Sequence, residues 1–453
     1  MSRVHTVNMI DGPVLPQVIR FSIPLMLTGV LQLVYNAADI VVVGRFAGSE
    51  ALAAVGSTGS LCGLLLDVFM GLSVGASVVV AQHYGARSDR DVSEAVHTAM
   101  LLSLITGLAS AVVGIALSRQ LLTLMGTPLE VIDLAVIYLF AYFLGVPASM
   151  VFNFGAAILR AVGDARRPLI FLMISGAINV VLNLFFVVVC HMGVLGVGLA
   201  TAISQLLAAA MVVYYLMRED TAIRFVPRQM RFVRDKLSGI IRVGLPAGLQ
   251  GTVFSISNVL IQSSINSFGA IAVAGNAAAG NIEGFIHIPM SALYQAAISF
   301  VGQNVGAKRM DRVPRVTAIC LTSVIVVGIV LGAAVFLLRD VLVGLYSTDP
   351  QVVAMGAFKL AVMALPYFLC GLMDVITGVL RGMGYSMLPM VTTVVGVCGF
   401  RVLWVFTVFQ EVRKLEVLYI SYPISWTLAF VVQLAMFVVL YRKLTRSEPA
   451  VQH

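Results

Sequence analysis

The sequence predicts an all-α integral membrane protein with twelve transmembrane helices in two pseudo-symmetric six-helix lobes. Three observations carry this. Of 453 residues, 60% are hydrophobic and only 11% charged, where a soluble domain carries about 25% charged residues. The apolar residues gather into twelve runs, each of about 20 residues or more, the length a helix needs to cross a bilayer. Finally, the chain repeats itself from its midpoint.

The runs fall at 17–44, 51–82, 92–118, 131–159, 168–190, 194–217, 237–268, 271–303, 313–338, 351–380, 387–409 and 418–441. Breaks such as HYGARSDRD and GDARRP carry turn residues and charge. Helices are expected because an open strand in lipid leaves its backbone groups unpaired.

The first span holds Gln32, Asn36 and Asp39 on one helical face. A charge at membrane depth costs about 3 kcal/mol even on lenient insertion scales, so Asp39 marks a task. In the second span, Gly71-Leu-Ser73-Val-Gly75 fits G-x-S-x-G. That pattern is catalytic only on a strand-to-helix turn. Here it reads as a small-residue packing surface, and nothing brings His287 of the eighth span to Ser73 as a base. The fourth span carries a stripe of Tyr138, Tyr142, Ser149 and Asn153, the fifth Ser175, Asn179 and Asn183. In the sixth, Thr201 follows GVLGVGLA, whose small residues permit close helix contact.

One carboxylate among neutral oxygens suits a small monovalent cation such as Na⁺. The same carboxylate would take up H⁺, since low-dielectric surroundings favour the neutral acid. For Asn153 or Thr201 the plainer reading is interhelical hydrogen bonding. For Asp39 it is weaker, because an asparagine would hold helices together at lower cost.

The repeat is read from matched segments. IRFSIP at Ile19 matches IRVGLP at Ile241, a shift of 222, and QHYGAR at Gln82 matches QNVGAK at Gln303, a shift of 221. LRAVGDARRP at Leu159 matches LRGMGYSMLP at Leu380, again 221. Six spans per half is an even number, so both halves enter the membrane in the same direction. Parallel repeats of this kind occur in transporters with a site between the halves. The expected division is 1–217 for the N-lobe, 218–236 for a cytoplasmic linker and 237–453 for the C-lobe.

The copy is imperfect. Asp39 aligns with Ile261, and Asp374 of the tenth span aligns with Asn153. Acidic charge reappears at Glu283 and Asp374, basic charge at Arg401, and Gln250, Asn258, Gln262 and Asn266 form a polar stripe. Asn36, Asn258, Gln262, Glu283, Asp374 and Arg401 are the candidates for lining a cavity that takes an organic cation. The alternative is internal pairing of Arg401 with Asp374 or Glu283. Lys359 and Asp67 read as snorkelling or helix-contact residues.

Of the 29 Lys and Arg, Arg45, Arg119, Arg339, Arg413 and Lys414 fall on one side, and Lys359 and Arg401 fall inside spans. The remaining 22 share the other side, which the positive-inside rule makes cytoplasmic, with both termini. The net charge of +8 is thus explained by topology, and no nucleic-acid partner is expected. The five cysteines stand singly in apolar runs, so neither a zinc site nor a disulfide framework is signalled. No removable signal peptide is read at the N-terminus. No nucleotide-binding fingerprint follows a plausible strand.

Two six-span halves, Asp39 in the first, NAADIVVVGRFAGSEALAAVG, LRAVGDARRP, LRGMGYSMLP and AAISFVGQNVGAKR together resemble the MATE (multidrug and toxic compound extrusion) family, most of all its bacterial branches. The resemblance covers nearly the whole chain. It implies a V-shaped pair of lobes that exports organic compounds, cationic or amphipathic and including drugs, in exchange for Na⁺ or H⁺. It places cation coupling at Asp39 with Asn179, Asn183 and Thr201, and Tyr138 and Asn153 alongside, and a hinge at Pro24. Proton-coupled relatives carry an aspartate where this chain has Asn183, which tilts the reading toward Na⁺. Some relatives carry an acid at the position of Cys370, and that role is not moved to Asp374.

The expectation is therefore a multi-pass transporter of a bacterial cytoplasmic (inner) membrane, working by alternating access on a small-molecule substrate as a functional monomer in the lipid bilayer. No catalytic residues, no organic cofactor and no metal beyond a Na⁺ at Asp39 are expected. The alternatives are a flippase for a lipid-linked precursor and, from another class, an intramembrane enzyme.

Overall fold

Apolar runs of this length leave the backbone one way to satisfy itself, by bonding within each segment. The computed structural model describes residues 6–447, and among them every regular element is helical. The two chain ends, expected to be cytoplasmic, lie outside the described residues.

The first half comprises α1 (Val14–Phe46), α2 (Ser49–Gly85), α3 (Asp89–Leu124), α4 (Leu129–Ala161), α5 (Arg166–Leu184) and α6 (Gly193–Arg218). The second comprises α7 (Arg234–Asn266), α8 (Ala270–Gly306), α9 (Val313–Gly344), α10 (Pro350–Met363), α11 (Phe368–Gly382), α12 (Met387–Thr393), α13 (Phe400–Phe406), α14 (Val408–Glu411) and α15 (Leu415–Ser447). Among the described residues ten helical segments are long and apolar enough to cross a membrane, and α10 with α11 makes an eleventh that bends by 52°. The remaining expected span is α7. It has 33 residues, but Gln250, Ser255, Ser257, Asn258, Gln262 and Asn266 lower its hydropathy. The protein is multi-pass, and large apolar side chains such as Leu337 and Val341 of α9 stand 76% and 65% exposed, as lipid-facing residues do.

The described residues form two compact units, one of 6–8 with Leu27–Thr252, the other of Met9–Met26 with 253–447. Helices α1 and α7 each contribute to both. In the first unit α4 packs on α2, α3 and α6; in the second α11 packs on α8, α9 and α15. Close packing rests on small residues. A Cβ at Gly145 of α4 would fall 2.7 Å from the Ala202 Cα of α6, and one at Gly71 of α2 would fall 2.1 Å from the Gly248 nitrogen of α7. The G-x-S-x-G segment is thus a helix-packing surface, and Ser73 donates to the Met70 carbonyl of its own helix at 2.7 Å.

The repeat is visible in the backbone. Gly48 and Gly269 both have φ +92°, Arg87 and Lys308 have φ +55° and +57°, and Gly163 and Gly384 have φ +94° and +91°. Each pair is separated by 221 residues. At the third corner the halves differ. Asp164 accepts from the backbone nitrogens of Arg166 and Arg167, both at 3.1 Å, and from the Arg167 guanidinium at 2.6 Å, so it caps α5. The second copy has Tyr385 and Ser386 there, and no side chain caps α12.

The tenth span departs from a straight helix. Pro366 lies in the break between α10 and α11, where it has no N–H to donate and its ring clashes with the preceding turn. The segment expected as a linker is docked: His97 of α3 accepts from the Val226 N–H at 3.0 Å, and Thr98 accepts from the Val233 N–H at 3.2 Å. Lys236 pairs with Asp91 at 2.6 Å.

Candidate functional site

In the first unit, the packing of α1 on α5 is fixed by a size match. Gly176 leaves room for the Tyr35 ring: a Cβ there would fall 1.9 Å from it, and the Tyr35 hydroxyl donates to the Met173 carbonyl at 3.3 Å. One turn further along α1 comes Asp39, and further along α5 come Asn179 and Asn183. Asn183 donates to the Asp39 carboxylate and also lies 3.1 Å from the Asn179 amide oxygen. Asn179 donates to Ser204 of α6 at 3.3 Å, and Ser204 to the Thr201 carbonyl at 2.8 Å.

Asn179, Asn183 and Ser204 are buried. Two oxygens along this chain of contacts, Asn183 Oδ1 and Thr201 Oγ1, are buried without a hydrogen-bond partner. Buried polar atoms are nearly always satisfied, so these, with the Asp39 carboxylate, are free to coordinate a hard cation. Asp39 joins no ion pair among the described residues.

Other expected members stand apart. Asn153 donates to the Ser149 carbonyl of its own helix at 2.8 Å. Tyr138 stacks on Tyr142 with ring centroids 6.0 Å apart. Asn36 is exposed. Pro24 sits inside an unbroken α1, two residues before that helix passes from one unit to the other. Sequence reading missed Ser204, Tyr35 and Gly176; a lone serine and a glycine opposite a tyrosine carry no pattern.

The second-unit candidates divide into three groups. Gln262 donates to Asn266 at 2.9 Å and accepts from Asn276 at 2.8 Å. The Lys359 ammonium lies 3.5 Å from the Asn276 carbonyl and 3.1 Å from Glu283. Lys359 is therefore a buried ion-pair partner, not a snorkelling residue: its side chain is enclosed beside a carboxylate. Asp67, by contrast, makes a helix contact against Gly251.

Arg401 pairs with neither acidic candidate. It is fully buried, and it donates to Ser425 at 3.1 Å and Asn258 at 3.4 Å. The guanidinium carbon sits 4.1 Å from the Tyr422 ring centroid, 5.3 Å from Phe254 and 5.8 Å from Trp426. Ring faces supply the negative potential that a carboxylate was expected to supply. Asp374 instead lies 3.3 Å from His287.

A family model described as MatE matches residues 24–185 and again 246–407, two segments offset by the shift of the repeat. The chain is 26% identical over 432 residues to "Probable multidrug resistance protein YoeA" of Bacillus subtilis, covering 93% of each chain. It is 25% identical over 374 residues to "Multidrug export protein MepA" of Staphylococcus aureus, covering 82% of each. In fold it is similar to a solved structure described as the outward-facing conformation of a multidrug resistance MATE family transporter of the MOP superfamily. The TM-score is 0.89, identity is 24%, and the match covers 98% of this chain and 99% of the other. With the family model matching most of its length, the chain belongs to the MatE family, and so to transporters rather than enzymes.

Proposed function

We propose that the protein is a cation-coupled antiporter of a bacterial cytoplasmic membrane. It exports organic compounds, cationic or amphipathic and including drugs, in exchange for Na⁺ or H⁺. The observation that carries this is Asp39: a carboxylate inside a spanning helix, hydrogen-bonded by Asn183, without a cationic partner, and linked to two unsatisfied oxygens. A fixed salt bridge would make it structural; neutral oxygen donors leave its charge for an exchangeable ion. One carboxylate balances one Na⁺, and Asn183, Asn179 and Thr201 offer neutral oxygens of the type such an ion prefers. A proton would occupy the same carboxylate. The Asn179–Asn183–Ser204 chain holds no second acid, which favours Na⁺.

The multidrug cargo is supported by the names of the relatives YoeA and MepA, a multidrug resistance and a multidrug export protein. Transport proceeds by alternating access, the expected mode for parallel repeats. A bound cation shifts the balance of states only by its differential affinity for them. Pro24 interrupts the hydrogen bonding of α1 near its change of unit, and is the point where that helix bends during the cycle.

The test is efflux of a fluorescent organic cation from proteoliposomes under separately imposed Na⁺ and H⁺ gradients. Asp39→Asn is expected to insert normally and to lose gradient-driven efflux. Unchanged coupled efflux by that variant would remove Asp39 from the mechanism.

A further inference from the structure

The second unit carries a constellation that the cation-coupling reading leaves unused. On α8, Glu283 and His287 are four residues apart; on α11, Cys370 and Asp374 are four residues apart. That spacing puts each pair on one helix face. The helices pack against one another. A donor atom from each of His287, Cys370 and Asp374 lies within 4.8 Å of the other two. Cys370 is not in a disulfide.

We propose that His287, Cys370 and Asp374 form a binding site for a borderline-soft divalent transition-metal ion of the Zn²⁺ class. Imidazole nitrogen, thiolate sulfur and carboxylate oxygen are the three donors Zn²⁺ accepts, at about 2.0–2.3 Å. Around a tetrahedral ion of that size the donors stand roughly 3.5 Å apart, a small side-chain adjustment from their positions here. His287 has the freedom to make it, with a side chain 44% exposed, and Asp374 is 25% exposed. A plain His–Asp pair would account for the 3.3 Å contact. It does not account for the thiol brought within the same radius from the turn before Asp374.

Two further observations single out this place. Cys370 lies in the first turn of α11, just past the break between α10 and α11, and interrupted helices are where membrane transporters build binding sites. Glu283, one turn before His287, keeps a buried carboxylate oxygen, Oε1, without a hydrogen-bond partner. Its other oxygen is held by Lys359.

Three protein ligands leave a fourth position for water, an open site and not the closed four-ligand arrangement of a structural one. On binding, the Cys370 thiol releases its proton to solvent and the thiolate takes the metal. The ion ties α8 to α11. A monovalent hard cation has no preference for sulfur, so the site is chemically distinct from that at Asp39. It stands whether or not the proposed transport cycle does.

The test uses full-length protein, purified in detergent and stripped with a chelator, with Co²⁺ as the probe and Zn²⁺ as competitor. Expected are one saturable Co²⁺ per chain, a thiolate-to-cobalt charge-transfer band, and displacement by Zn²⁺ but not by Na⁺. Cys370→Ser abolishes the band, and His287→Ala and Asp374→Asn each weaken binding at least tenfold. Cys190→Ser, at the exposed cysteine, changes nothing. X-ray absorption of the Zn²⁺-loaded unmutated protein, which needs no variant to fold, shows one sulfur at about 2.3 Å. No saturable binding, a band that survives Cys370→Ser or vanishes with Cys190→Ser, or a zinc shell of nitrogen and oxygen only would overturn the proposal.

Discussion

Lys359 of α10 and Glu283 of α8 form an ion pair 3.1 Å apart, with side chains only 10% and 12% exposed. Separating two charges enclosed to this degree is costly, about 3–5 kcal/mol when one partner is removed. Replacing both by apolar residues of similar size often costs little. Lys359→Met is therefore expected to lower the thermal unfolding midpoint markedly, and Lys359→Met with Glu283→Leu to recover most of the loss. Equal midpoints for the single and double variants in detergent would contradict this.

Gly176 and Tyr35 set how α1 lies on α5. Any side chain at 176 collides with the Tyr35 ring, and overpacking of this kind costs about 1–3 kcal/mol. Gly176→Val is expected to shift α1, disturb the contact of Asn183 with Asp39 and reduce coupled efflux. Adding Tyr35→Ala clears the space and restores part of the activity. The check is efflux rate at matched protein insertion.

Ser204 is the acceptor for Asn179, and a typical hydrogen bond is worth about 1 kcal/mol, or roughly fivefold in affinity. Ser204→Ala is expected to raise the coupling-ion concentration for half-maximal efflux by about that factor, with the maximal rate retained. A variant with an unchanged ion requirement would show that the Asn179–Asn183 pair is oriented by other contacts.

Arg401 is planar, stacked on Tyr422 and bonded to Ser425 and Asn258 at once. A lysine ammonium cannot reproduce that fork or that stacking. Arg401→Lys is expected to lower stability by about 2 kcal/mol, the scale of a desolvated cation–π contact. Thermal unfolding compared with Tyr422→Leu and with the double variant gives the coupling; additive losses would mean the ring is incidental.

The spans and the repeat were legible because both are written in local pattern: apolar length and recurring segments. The Asp39, Asn179 and Asn183 grouping was legible for the same reason, since a polar stripe in an apolar helix stands out. The partners in the second unit were not. Lys359 and Glu283 are on different helices, and nothing in either segment names the other. Arg401 looked short of a carboxylate because aromatic faces leave no charge in the sequence. The bend at Pro366 could not be told from the neighbouring case of Pro147, which α4 accommodates within one continuous helix. His287, weighed only as a base for Ser73, has its partner on α11.

The matched left-handed corners carry an energetic consequence. Gly tolerates such a corner freely, whereas Arg87 and Lys308 bear a penalty of about 1–2 kcal/mol that a glycine would relieve. This costly corner occurs twice, 221 residues apart, so it belongs to the repeated frame. The lone carboxylate at Asp39, the fractured tenth span and the aromatic cage around Arg401 each stand in one half only, so the corners hold the common frame while these features set the halves apart.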